Sequence, residues 1–438
     1  MGYELDKILI SCCDADFEKR VLKLRSELTR AARFADYGSR ENQQVVDILR
    51  NVADHGDKAL AKYTAEFDQV ELKPDQFRVG EEELEKARRE IDNDVMASLR
   101  QAIDNVWAYQ RDIMINKDNV PRGIKYTPIR RVGICVPGAS APLPSTVIMT
   151  AVPAQVAGVK EIAVVSPPRH EGSIHPVILA VCCELGIGEV YRIGGAQAVA
   201  ALASGTETID KVDKIVGPGN KWVQSAKKNV SGDHVGIDSI AGPSEVVIIA
   251  NEQANAAWIA ADMLSQAEHA ADSSAIVVTD SQQLAKETLE ELEKQAAELP
   301  RADAAMKSLK KFGAIVVTED IAAAIEMADE FAPEHLEVQC GQESREIAEK
   351  ISNAGAIFIG SYTPVAVGDY WAGPSHTLPT GTRAKFASAV TSNDFLKSIS
   401  VVEYDADMLA ASADDIIRLA QVEGLDAHAK SVKIRQQG

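Results

Sequence analysis

The chain has 438 residues, 46% of them hydrophobic and 25% charged, a profile typical of a globular protein long enough for two or three domains. Lys and Arg number 46 against 65 Asp and Glu, so the net charge is −19, and nucleic acid is excluded as an expected partner because such a surface repels phosphates. No apolar run reaches the roughly 18–20 residues of a membrane helix, and the opening MGYELDKILISCCDADFEKR carries early acidic residues, so no membrane contact and a cytoplasmic location are expected.

The first 120 residues or so read as helical by period. Val45, Ile48, Leu49, Val52, Leu60, Tyr63 and Phe67 follow the i, i+3, i+4 rule, with an interruption expected at the His55–Gly56 step. From Arg131 short β-branched runs alternate with helical stretches: VGICV, EIAVVSP, EVYRIG and DKIVG, then SEVVIIA, SAIVVTD, GAIVVTE and AGAIFIG. Such alternation predicts an α/β fold with parallel sheets covered by helices on both faces. These strands are too many for one compact sheet and split near Ser244, which predicts two similar doubly wound domains. The repeat AIVVT, at 275–279 and 314–318, is weak support for duplication. The expected division is a helical segment over 1–130, α/β domains over 131–243 and 244–370, and a C-terminal segment over 371–438 with a helix from Asp407 to Gly424.

Six cysteines, at 12, 13, 135, 182, 183 and 340, form no CxxC and include two adjacent pairs, as expected of a reduced intracellular set. A metal would therefore take His, carboxylate or amide ligands. Gln266 and His269 stand three apart on a predicted helix and share a face, although most such pairs are ordinary surface residues. Glu334 and His335 follow a proline at the start of a strand and supply two proton-transfer groups; taken alone, such a pair more often caps backbone amides. Asp369 follows Gly368, with His376 seven residues on, in a segment where a turn also explains the carboxylate. Glu423 and His428 lie at and just beyond the end of the last predicted helix. The segments IGGAQA and VGPGNKW each lead from a strand through glycine into a helix, a geometry that binds anions, yet neither fits GxGxxG.

Taken together and in order, VPGASAPLPSTVIMTAVPAQVAGV, GGAQAVAALASGTE, KIVGPGNKWV, AGPSEV, SQAEHAADS, APEHLE, VGDYWAGPSHTLPT and EGLDAHAKS resemble the histidinol dehydrogenase family, over about Val45 to Arg435. The resemblance implies two incomplete Rossmann-like domains, a C-terminal dimerisation tail, and an intertwined homodimer with shared active sites. It also implies NAD-linked oxidation of L-histidinol through L-histidinaldehyde to L-histidine, with one zinc ion per subunit. By the same resemblance Gln266, His269, Asp369 and His428 would be zinc ligands, the last from the partner subunit. Glu334 and His335 would be the catalytic pair. Ser244 and Glu423 would contact the substrate together with His335 and the zinc ligands, and Cys135, Gln197 and Asn220 would contact NAD.

The chain departs from the family pattern where Cys135 replaces a tyrosine, Ala139 a glycine and Ser375 an asparagine. The zinc and acid–base positions all match, so the departures bear on the cofactor side. Two rival readings remain. A related alcohol dehydrogenase acting on a diol such as sulfopropanediol would share the zinc and the Glu–His pair, but Glu423 would repel a sulfonate. A zinc hydrolase would need an open metal position and no NAD. A non-catalytic dimeric metal-binding protein is disfavoured by the intact Glu334 and His335.

Overall fold

The computed structural model describes residues 5–31, 39–115, 123–138, 141–233, 235–299 and 302–436. Ala139, one of the departures above, lies outside them. The chain divides into a body, Met1–Met114 with Pro128–Phe395, and a second unit, Ile115–Thr127 with Leu396–Gly438. Residues 371–395 thus belong to the body, and the second unit also takes in a stretch from the middle of the chain.

The body holds two all-parallel sheets. The first contains β3 (Arg131–Cys135), β4 (Glu161–Val165), β5 (Glu189–Tyr191), β6 (Lys214–Val216) and β7 (Gly236–Ile237) in the order β5-β4-β3-β6-β7. The second contains β1 (Leu9–Ser11), β8 (Glu245–Ala250), β9 (Ser274–Thr279), β10 (Gly313–Val317), β11 (His335–Gln339) and β12 (Ala356–Ile359) in the order β1-β10-β9-β8-β11-β12. The first sheet ends with β7 at Ile237, and β8, which opens at Glu245, belongs to the second. The two AIVVT runs are not equivalent strands of separate domains. They are β9 and β10, neighbours in one sheet.

Both faces of the second sheet are packed. Val246, Ile248 and Ala250 of β8 meet Ile259, Ala260, Met263 and Leu264 of the helix Ala256–Ala267 on one side. On the other side Val247 and Ile249, with Leu336 and Val338 of β11, meet Ala324, Ile325 and Ala328 of the helix Ile321–Phe331. Burial on both faces explains why these strands read as continuous apolar runs.

The N-terminal region is not a separate helical layer. β1 pairs with β10, and Val21 and Leu24 of the helix Phe17–Ala31 join the core of the second sheet. Helix Arg40–Asp68 instead buries Val45, Ile48, Val52, Leu60 and Tyr63 against the first sheet. It is interrupted where the sequence expects, at Gly56, whose φ of 51° no helix accommodates.

In the second unit β2 (Ile124–Pro128) pairs with β13 (Leu396–Ser400), and helix Ala406–Val422 packs on helix Asp426–Lys433. Gly424, with φ 71°, makes the turn between those helices. Val402, Leu419 and Val422 are exposed there. No helix among the described residues is long and apolar enough to cross a membrane.

Candidate active site

The local sequence delivers Glu334 and His335 to the edge of the second sheet. Helix Ile321–Phe331 ends on Ala332 in the left-handed region, and Pro333 prevents its continuation, so the chain turns back into β11. Gly355 lets the chain entering β12 pass against this turn, since a Cβ there would lie 2.5 Å from the Glu334 carbonyl oxygen. Ser244 immediately precedes β8, the neighbour of β11. The pair and Ser244 therefore stand at the amino ends of adjacent parallel strands.

β8 orients both members of the pair. Glu334 Oε2 accepts the Glu245 N–H at 3.0 Å, and the Ser244 side chain also bonds the Glu334 carboxyl. His335 Nδ1 lies 3.0 Å from the Glu245 carbonyl oxygen and 3.6 Å from Glu334 Oε2. A carbonyl can only accept, so Nδ1 carries the ring proton and Nε2 presents its lone pair. That Nε2 is buried without a hydrogen-bond partner, 3.9 Å from Asp369 Oδ1. Burial pushes His335 down to about 4, which keeps the ring neutral near pH 7. Burial, and then the like charges of Glu245 and Asp369, raise Glu334 well above the usual carboxylate range.

Asp369 sits in the short helix Val365–Tyr370, and burial raises it to about 6 against the opposing influence of His269. His335, Asp369 and His376 line a cavity of about 110 Å³. The His376 ring donates to the Asp369 backbone carbonyl, and burial lowers its pKa to about 4. Ser375 also lines this cavity, and its hydroxyl donates to the Met149 carbonyl at 2.8 Å.

Helix 256–267 ends at Ala267, so Gln266 occupies its last turn while His269 lies just past the cap, not on the helix as expected. The turn is still tight, with the His269 N–H bonded to the Gln266 carbonyl. His269 Nδ1 is 2.9 Å from the Ser265 carbonyl, which leaves Nε2 as the free donor atom. Gln266 is buried, and its Nε2 has no partner. Glu423 caps helix 406–422 and His428 lies on helix 426–433, both exposed and both in the second unit. Among the described residues no group of three or more His, Cys, Asp and Glu side chains could hold a metal. The ligand set implied by the resemblance contains only His269 and Asp369 of that kind in the body, since Gln266 is an amide and His428 lies in the second unit.

A second constellation lies at the carboxyl ends of the first sheet. Its strand order changes direction between β3 and β6, and α/β proteins bind ligands beside such a switch point. Cys135 ends β3, while Gly217–Asn220 follows β6 and Gln197 opens the helix after β5. Both Gln197 side-chain atoms are buried without partners, as are the hydroxyls of Ser166, after β4, and Thr146. Asn220 caps the helix Lys221–Val230 through Trp222 and Val223 N–H. Beneath the loop Lys227 pairs with Asp238, both fully buried; Lys227 also donates to the Gly217 carbonyl, and Asp238 accepts the Gly217 N–H at 2.7 Å. Gly217 needs its positive φ of 102° here, and a Cβ would strike the Cys135 carbonyl oxygen. Sequence reasoning missed Ser166, whose one signal is a serine directly after an apolar strand, and Asp238, which has no signal at all.

All six cysteines are free thiols, and burial raises Cys135, Cys182 and Cys340 to about 12 each, so none of those three is a ready nucleophile.

The sequence model described as histidinol dehydrogenase matches residues 32–436. The chain belongs to the histidinol dehydrogenase family. Among curated histidinol dehydrogenases, that of Rhodopirellula baltica is 49% identical over 89% of this chain and 86% of its own length. That of Thermosynechococcus vestitus is 45% identical over 94% and 97%. The crystal structure of histidinol dehydrogenase from Elizabethkingia anophelis superposes with a TM-score of 0.90 at 33% identity, covering 100% of this chain and 99% of that one. This histidinol dehydrogenase family member is thus an oxidoreductase with two parallel, Rossmann-like sheets.

Proposed function

We propose that the protein oxidises L-histidinol through L-histidinaldehyde to L-histidine, with NAD as oxidant and one zinc ion per subunit. The observation that carries this reading is His335: a neutral ring held by Glu245, its Nε2 lone pair buried, unpartnered and beside Asp369.

The donor set fits zinc. Gln266, His269 and Asp369 offer oxygen and nitrogen donors, and His428 of the partner subunit would complete the set. Asp369 is a desolvated carboxylate that a cation would stabilise, and the Ser265 carbonyl fixes the His269 ring through Nδ1, as backbone carbonyls commonly do for metal-bound histidines. The unpartnered polar atoms of Gln197, Ser166 and Thr146 fit NAD at the first sheet. Zinc held by Gln266, His269, Asp369 and the partner subunit's His428 would supply a Lewis-acid anchor for a nitrogen-bearing substrate, and NAD at the first sheet would supply the oxidant.

The chain's own groups handle the protons. His335 Nε2 takes the hydroxyl proton of the alcohol, leaving the aldehyde. Glu334, in its ionised form, takes a proton from the water that adds to the aldehyde carbon, and His335 returns its proton to the former carbonyl oxygen, which completes the hydrate and leaves the ring neutral again. His335 takes the hydroxyl proton of the resulting hydrate as the acid forms. Ser244 bonds the Glu334 carboxyl and would contact the substrate. Glu423 would face the cationic substrate. No covalent sulfur step is needed, in keeping with the raised thiols. A screen with NAD decides the substrate: NADH should form with L-histidinol, and formation with sulfopropanediol but not histidinol would overturn the reading.

A further inference from the structure

A second carboxyl pair lies behind the site, and the proton transfers above do not use it. β11 alternates, so Leu336 and Val338 face helix 321–331 while His335, Glu337 and Gln339 share the opposite face, toward helix 256–267. Glu337 is 1% exposed. Its Oε1 accepts the Val365 N–H at 3.2 Å. Val365 begins the helix that carries Asp369, and Pro364 before it supplies no side-chain cap. Glu337 Oε2 lies 2.8 Å from Gln339 Nε2, which also donates to Asp262 Oδ2 at 2.9 Å. Asp262 and Glu337 are hydrogen-bonded to each other as well. Two carboxyls can bond directly only when one keeps a proton. Asp262 lies one helical turn before Gln266, on the same face.

One side chain therefore touches all three elements that carry the candidate site: its own strand with His335, the helix of Gln266 through Asp262, and the helix of Asp369 through Val365. We propose that Glu337, sharing a proton with Asp262, is a positioning residue that sets the spacing of Gln266, Asp369 and His335 for the metal. This rests on the zinc reading above. Burial and the Asp262 charge both raise Glu337, consistent with the proton residing on it. The pair needs hydrogen bonds in this place, not a second negative charge, and that separates two substitutions. Glu337→Gln keeps an acceptor for Val365 and a donor for Asp262. Glu337→Leu fills the space but orphans the Val365 N–H and releases the helix of Gln266.

The experiment measures zinc affinity of the full-length protein by competition with a chromophoric chelator, and records the absorption of the cobalt-substituted protein. Glu337→Gln should stay within about threefold of wild type, and Glu337→Leu should bind zinc about 10–100-fold more weakly with an altered cobalt spectrum. Should Glu337→Leu not fold, Asp262→Ala, at a half-exposed position, removes the same link and should weaken zinc about tenfold. Wild-type affinity and spectrum in whichever of these two variants folds would overturn the proposal. Glu337→Gln as weak as Glu337→Leu would overturn the shared proton. A wild-type protein that takes up no zinc would instead sink the zinc reading itself.

Discussion

His335 Nδ1 lies 3.0 Å from the Glu245 carbonyl oxygen, so a backbone atom of the neighbouring strand decides which ring nitrogen is free to act as a base. Because that partner belongs to a sheet ladder, the ring is fixed as firmly as β8 itself.

His335→Asn removes the base but keeps a side chain able to bond Glu245. Turnover with L-histidinol should fall about 10²–10⁴-fold, the usual worth of a general base, while zinc content by elemental analysis stays unchanged. Unaltered turnover would remove His335 from the chemistry.

Glu334→Gln keeps the bond from the Glu245 N–H but cannot accept a proton from water. Oxidation of supplied L-histidinaldehyde should drop about 100-fold or more, and the alcohol half less than tenfold. Equal losses in the two halves, measured separately, would count against water activation by Glu334.

Sharing of the site between copies has a direct test. His335→Asn and His428→Ala are each inactive in the proposed scheme. After subunit exchange a mixed dimer has one site with both defects and one with neither, so activity should return toward half per mixed dimer. Demonstrated exchange without recovery would place His428 in its own subunit's site.

Lys227→Met leaves the fully buried Asp238 without its counter-charge under the loop Gly217–Asn220. The loss should be about 3–5 kcal/mol in unfolding free energy, with a higher KM for NAD because Gly217 is released. Adding Asp238→Asn, which still accepts the Gly217 N–H, should recover most of the stability. A double variant no better than the single one would show that the ion pair is not the cause.

Sequence period was enough for the two parallel sheets, since strands buried on both faces must be apolar throughout, and for the kink at Gly56. It could not reveal β1 or β7, three and two residues long, whose existence depends on partners far along the chain. It placed His269 on a helix that ends two residues earlier at Ala267. The residues of the candidate site were legible only as short motifs, each with an ordinary structural explanation, and their order along the chain made them a family pattern. What no spacing encodes is the role of Glu245, whose backbone N–H and carbonyl hold the pair while its buried carboxyl helps to raise Glu334. Glu337 was hidden for a similar reason: within HLEVQ a buried carboxyl looks like one more strand residue.

The direction of the strands gives the protein an electrical polarity. At the carboxyl edge of the first sheet, the helices Gly195–Ser204 and Lys221–Val230 begin, so their partial positive ends and free N–H groups face the Gln197 and Asn220 region, where the pyrophosphate of a dinucleotide would be stabilised. At the amino edge of the second sheet the helices Ala256–Ala267 and Ile321–Phe331 end, and their partial negative carbonyl ends lie next to His269 and Glu334. That edge favours a metal cation and an ammonium-bearing substrate before any side chain is counted. By using opposite ends of two similar sheets, one kind of fold offers one field to an anion and the reverse field to a cation.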